Sequence, residues 1–147
     1  MNLKERISDL MKSSMKSGDK ETLSTVRMLH AAVRKKEIDD RVDLDDAAII
    51  KVVGTLAKQR QDSIEQFTTG GRQDLVDKET KELNLLMSFL PQQMSQDELV
   101  ILIDGAVKEA HATTQKDMGA VMKLVMPKTA GRADGKLINQ LIRDRLK

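Results

Sequence analysis

Apolar residues along this chain recur at intervals of three and four almost throughout, and alternating strand patterns are not found. Leu3, Ile7, Leu10 and Met11 line one face of a predicted helix over about residues 2–16, and Gly18 ends it. Asp19 caps a second helix carrying Leu23, Val26, Leu29 and Val33. The polar run DDRVDLDD (39–46) predicts a turn in which Asp43 is the helix cap and Asp45 and Asp46 sit at the positive end of the third helix. That helix is long, with Ile49, Val53, Leu56, Ile64 and Phe67 on its stripe, and Gly70–Gly71 stop it. A fourth carries Leu75, Val76, Leu83, Leu86 and Leu90 and runs to Pro91.

The strongest boundary is LPQQMSQDEL (90–99). Pro91 disfavours helix in the residue before it, and Ser95 with Glu98 forms a capping box that restarts one. Three shorter helices come next, over about 96–112, 117–126 and 135–146, with Pro127 and Gly131 punctuating the last connection. The expectation is therefore all-α: an N-terminal bundle of about four helices in residues 1–92, then a small three-helix domain in 93–147. No internal repeat is visible.

Composition supports this and narrows the chemistry. The chain has 9 Met but only 2 Phe, no Tyr or Trp, and 2 Pro, a mix that favours uninterrupted helix. No cysteine is present, which removes disulfides, thiolate nucleophiles and thiolate metal sites. MNLKERISDL has no apolar h-region, and no stretch approaches the roughly 18 apolar residues of a spanning helix. The expectation is a soluble, cytoplasmic protein with no membrane partner. Net charge is only +2, but residues 116–147 hold 8 basic and 3 acidic groups, whereas residues 1–90 hold 16 of each. A local excess of that sign suits an anionic partner, and a solvated surface explains it equally simply.

GRADGK (131–136) invites comparison with a phosphate-binding loop. The spacing is one residue short, Leu137 stands where a magnesium-binding hydroxyl belongs, and no strand precedes it, so the comparison fails. Asp134 instead caps a helix whose first turn contains Gly135 and Lys136, and Gly131 supplies a conformation that a side chain resists. Two readings of the surrounding charge stay open: a phosphate contact at the helix start by Lys128, Arg132 and Lys136, or plain capping among solvated cations. Arg27, Arg60 and Glu79 interrupt apolar stripes, as interhelical ion pairs do and as a charged cleft would. His30 and His111 lack metal-ligand spacing, and the acidic turn has Ala48 where a calcium-binding loop needs glycine. No cofactor, metal or catalytic residue is expected. Phe67 and Phe89 are assigned to the core, which leaves no aromatic side chain for stacking on bases.

Several stretches together resemble the YqeY-like (GatB/YqeY) family over nearly the whole chain: VRMLHAAVRKKEID, KQRQDSIEQFTTGGRQDLVDKETKEL, FLPQQMS and DMGAVMKLVMPKTAGRADGKLINQLI. The last is the most specific, through Asp117, Met118, Gly119, Met122, Gly131, Asp134, Gly135, Lys136 and Asn139. The resemblance implies an all-helical protein whose C-terminal part is similar to the tail of the B subunit of aminoacyl-tRNA amidotransferase, which amidates Glu-tRNA or Asp-tRNA with glutamine as nitrogen donor. That tail contacts tRNA and often has Pro where Gly135 stands. The chemistry of that carbon–nitrogen ligase sits in a core with no counterpart here, so kinship without catalysis by this chain alone is what the resemblance implies. The expected partner is tRNA or another structured RNA, held by phosphate contacts from Lys128, Arg132, Lys136, Arg143 and Arg145, with Lys116 and Lys123 flanking. Participation in an amidation or translation enzyme, and a protein-binding adaptor role for the first domain, are the alternatives.

Overall fold

The computed structural model describes residues 2–146. It contains seven α-helices: α1 Leu3–Ser17, α2 Lys20–Asp40, α3 Asp46–Thr69, α4 Gln73–Met87, α5 Gln96–Glu109, α6 Met118–Thr129 and α7 Gly135–Arg145. A 3-10 turn at Gln115–Asp117 precedes α6, and no strand occurs among the described residues, so the fold is all-α as the periodicity requires. The chain divides into two compact units between Leu90 and Pro91.

In the first unit, α1 begins with a reciprocal capping box. The Glu5 amide donates to Asn2 Oδ1 at 2.8 Å, and the Asn2 amide donates to Glu5 Oε2 at 3.3 Å. Gly18 ends α1 in the left-handed region at φ 75°, where a side chain is disfavoured, and Asp19 then caps α2 by accepting from the Thr22 amide at 3.1 Å. The apolar stripes of α1 to α4 converge on a core of Leu3, Ile7, Val26, Leu29, Val33, Leu44, Ile49, Val53, Leu86 and Phe89. Each such side chain contributes about 1.5–3 kcal/mol on full burial.

One acid is sealed into this unit. Glu37, near the end of α2, has a side chain only 4% exposed. It accepts the Leu44 amide at 2.9 Å and pairs with Lys4 on α1 and with Arg34 one turn back at 3.2 Å. The Lys4 bond first, then the Leu44 amide, hold its carboxyl below the usual glutamate range, against the opposing effect of burial. This bond network also displaces the expected helix cap. Leu44 is drawn into the core, so the cap moves from Asp43 to Asp45, which accepts from the Ala48 amide at 2.9 Å. Leu44 and Ile49 then form a hydrophobic staple across the helix start. Asp43 is left exposed.

Two other boundaries differ from expectation for physical reasons. Helix α4 stops at Met87 rather than Leu90, because the residue before Pro91 cannot easily stay helical; Phe89 and Leu90 close a tight turn instead, donating to Leu86 and Met87 carbonyls. Pro127 lies inside α6 rather than beyond it. It removes one intrahelical donor, but Val125 and Thr129 are both buried one turn apart on the opposite side, and helix continues between them.

The second unit packs α5, α6 and α7 around Leu99, Ile103, Ala106, Val121, Val125, Ile138, Leu141, Ile142 and Leu146. Helix α5 starts at the expected capping box, with the Glu98 amide donating to Ser95 Oγ at 3.1 Å. It ends at Glu109, three residues before the expected stop, as His111 turns the chain through the left-handed region at φ 53°.

Two predictions rest on this packing. Leu29→Ala removes a side chain with no exposed surface and should cost about 2–5 kcal/mol in denaturant unfolding. Glu37→Gln should melt several degrees below the native chain near neutral pH. Because the Glu37 carboxyl titrates lower when folded, its contribution is complete above the ordinary glutamate range and disappears as pH falls through its folded value. The melting gap between the two proteins should therefore narrow on acidification; a gap independent of pH would refute the role given to the charge.

Candidate nucleic-acid interface

The second unit's connection from α6 to α7 is a tightly bonded loop. Thr129 is buried, with its hydroxyl on the Val125 carbonyl at 3.0 Å. Gly131 adopts φ 71°, and the Arg132 amide returns to the Thr129 carbonyl at 2.8 Å. Residues 92–94 are fastened to this loop on three sides: Arg132 Nε donates to the Gln92 carbonyl at 2.9 Å, Gln93 Nε2 donates to the Gly131 carbonyl at 2.7 Å, and the Met94 amide donates to the Arg132 carbonyl at 2.9 Å. Asp134 caps α7 by accepting from the Lys136 amide at 3.2 Å. A Cβ added at Gly135 would meet nothing within 4 Å, so the turn needs the glycine at 131 and not the one at 135.

The seven candidate cations separate into two groups. Lys116, Lys123, Lys128, Lys136 and Arg143 are exposed and form no ion pair with another described residue. Arg132 and Arg145 are half-buried and already engaged. Arg132 holds the Gln92 carbonyl, while Arg145 pairs with Asp104 on α5 and donates to the Leu141 carbonyl at 3.1 Å. Of the neighbouring acids, Asp117 and Asp134 are engaged, whereas Asp144 is exposed and unbonded among the described residues. Asp117 accepts the Thr113 and Thr114 amides at 2.9 and 3.2 Å, and these bonds hold its carboxyl below the usual aspartate range.

Along α7, Lys136, Gln140 and Arg143 fall at i, i+4 and i+7 and share the exposed face opposite Ile138, Leu141 and Ile142. Gln140 was not singled out by sequence reasoning. The signal for it is that spacing, which becomes readable only once the buried side of α7 is known.

The charged residues on the first unit's stripes behave differently from one another. Arg60 on α3 sits 2.8 Å from Glu82 and 3.2 Å from Glu79 on α4, each side chain about four-fifths buried. Its Nε hydrogen goes to Glu82, which sequence reasoning missed, and a second guanidinium nitrogen meets Met28 Sδ. Glu79 Oε2 is buried with no hydrogen-bond donor, and is compensated only by Arg60's charge. Arg27, by contrast, is exposed and forms no ion pair with a described residue; its place after Leu23 lies outside the buried stripe. No three metal-ligating side chains cluster among the described residues, and no helix among them is long and apolar enough to cross a membrane.

Comparison with known proteins places the chain in a family and changes one expectation. The chain is 34% identical over 106 residues, 70% of its length, to altered inheritance of mitochondria protein 41, mitochondrial, of Eremothecium gossypii. It is 36% identical over 83 residues, 56% of its length, to the protein of that name from Lachancea thermotolerans, and 27% identical over 137 residues, 91% of its length, to that from Pyrenophora tritici-repentis. The matches cover 58%, 44% and 75% of those proteins, so the chain spans about half the length of the first two. Their names place them in mitochondria, which overturns the cytoplasmic expectation: lack of an apolar h-region bears on secretion and carries no information about organelles. A family model described as Yqey-like protein matches residues 4–146, and the chain belongs to the YqeY-like family.

Proposed function

We propose that this chain is an RNA-binding accessory protein that takes tRNA or another structured RNA on the basic surface of its second unit. One observation carries the reading. Lys116, Lys123, Lys128, Lys136 and Arg143 are exposed and without ion-pair partners among the described residues, in a segment where Asp117 and Asp134 spend their carboxylates on backbone amides. Free cations of this kind gain most from phosphates, because binding releases the counterions condensed on the nucleic acid. Both phenylalanines lie in the first unit and there is no Tyr or Trp, so recognition rests on backbone shape and charge rather than on stacked bases.

The resemblance read from the C-terminal segment to the amidotransferase tail is what points to tRNA as the ligand class. The mitochondrial relatives' names describe an inheritance phenotype and a location, and the chemistry of the reading comes from this chain's own residues. No amide transfer by the chain alone is part of the proposal. Arg132 and Arg145 brace the unit, and the five free cations are the proposed phosphate contacts.

Anisotropy titration with a tRNA at two ionic strengths tests this. If all five cations meet phosphates, affinity should fall roughly 10²–10³-fold between 50 and 200 mM salt. Lys136→Gln/Arg143→Gln should weaken binding and reduce the salt slope by about two. Salt-insensitive binding, or a slope unchanged in the double variant, would refute it.

A further inference from the structure

We infer that the outward face of α7 reads the sugar edge of double-helical RNA, with Asn139 and Gln140 contacting 2′-hydroxyls between phosphates held by Lys136 and Arg143; this rests on the RNA reading above. Lys136 and Arg143 are seven residues apart on one exposed face, about 10 Å along the helix axis. Gln140 is exposed between them along the axis, and Asn139, half-buried, lies about 100° round the helix from it, so the two amides flank the line joining the cations. Neither amide side chain hydrogen-bonds to another described residue among the bonds of this unit. Asp144, one turn beyond Gln140, limits the basic face at that end.

The chemistry of the four groups divides the work. Cations bind phosphate from RNA and DNA alike and carry no discrimination. A carboxamide offers both a donor and an acceptor without adding charge, which matches a hydroxyl that is itself both. In A-form helices the minor groove is wide and shallow and displays 2′-hydroxyls between two phosphate walls, so a helix face with amides flanked by cations meets it in register. A single strand would instead need aromatic platforms, and the second unit contains none.

The test compares a 20-base-pair RNA duplex, the DNA duplex of the same sequence and one unpaired RNA strand, each titrated by anisotropy with the full chain at one moderate salt concentration. The native protein should prefer the RNA duplex to both others. Asn139→Ala/Gln140→Ala should lose about three- to tenfold in affinity for the RNA duplex and little for DNA. Gln140 is exposed, so Gln140→Ala alone keeps the fold and should show part of that loss; circular dichroism verifies it. Equal native affinity for RNA and DNA, tightest binding to the single strand, or equal losses on both duplexes would overturn the inference while leaving the basic surface in place. Absence of binding to all three nucleic acids would overturn the basic-surface reading as well, and would leave the face to a protein partner.

Discussion

The Glu37 carboxylate is where three segments of the first unit are joined. It receives the Leu44 amide from the connection after α2, the Lys4 ammonium from the start of α1 and the Arg34 guanidinium from its own helix. Every other feature of that corner depends on it. Leu44 is held in the core, the α3 cap falls at Asp45, and Ile49 enters the packed stripe at the right turn of the helix. An acid this deeply placed is stable only when its bonds are complete, so the geometry admits little latitude. Such a device matters here because the core is almost wholly aliphatic. Leu, Ile and Val pack well in several registers, and a polar bond with fixed partners selects one of them.

The second unit uses the same logic with opposite charge. Arg132 holds the Gln92 carbonyl, and its own carbonyl takes the Met94 amide, so the segment leading into α5 is bound to the loop leading into α7. Arg145 anchors the end of α7 to Asp104 of α5. These two arginines lie among the cations of the basic segment, yet each has donors committed inside the protein, Nε of Arg132 and Nε with one terminal nitrogen of Arg145. A guanidinium suits this task through its several donors in a rigid plane, whereas lysine remains a solvated point charge. Four of the five free cations are lysines, the division of labour that this difference in side-chain chemistry favours.

Much of this fold was legible in the sequence because helix signals are local. The caps at Asp19, Ser95 and Asp134 and the stop at Gly18 each depend on residues within a few positions, and all four occur where read. What was not legible depends on distant partners. The shift from Asp43 to Asp45 needs Glu37 and the buried Leu44, which no local pattern reveals. Glu82 could not be preferred to Glu79 as the hydrogen-bond acceptor of Arg60 until the angle between α3 and α4 was known. Arg27 and Arg60 look alike on their helical stripes, and only packing separates the exposed one from the buried one. In the candidate site, composition marks the basic segment but could not divide it into anchored and free cations, since Gln92 and Asp104 lie some forty residues away in sequence.

The scarcity of aromatic side chains joins stability to recognition. With no Tyr or Trp and Phe89 as the one aromatic of its buried core, the chain has few large rigid core pieces to fix helix positions by shape, and its second unit has no rings to bind bases by stacking. It compensates in the interior with bonded charges at Glu37 and Arg60, and the same restriction shapes what its surface can distinguish. Lysines around a duplex sense charge density, which RNA and DNA share. On the proposed RNA reading, discrimination comes from groups that sense the sugar, and on α7 the side chains placed between the cations are carboxamides rather than further lysines. Had Asn139 and Gln140 been lysines, attraction to phosphate would rise and selectivity would fall, because added charge strengthens every nucleic-acid complex together. A face that alternates charge with neutral hydrogen-bonding groups sacrifices affinity for the ability to tell one backbone from another.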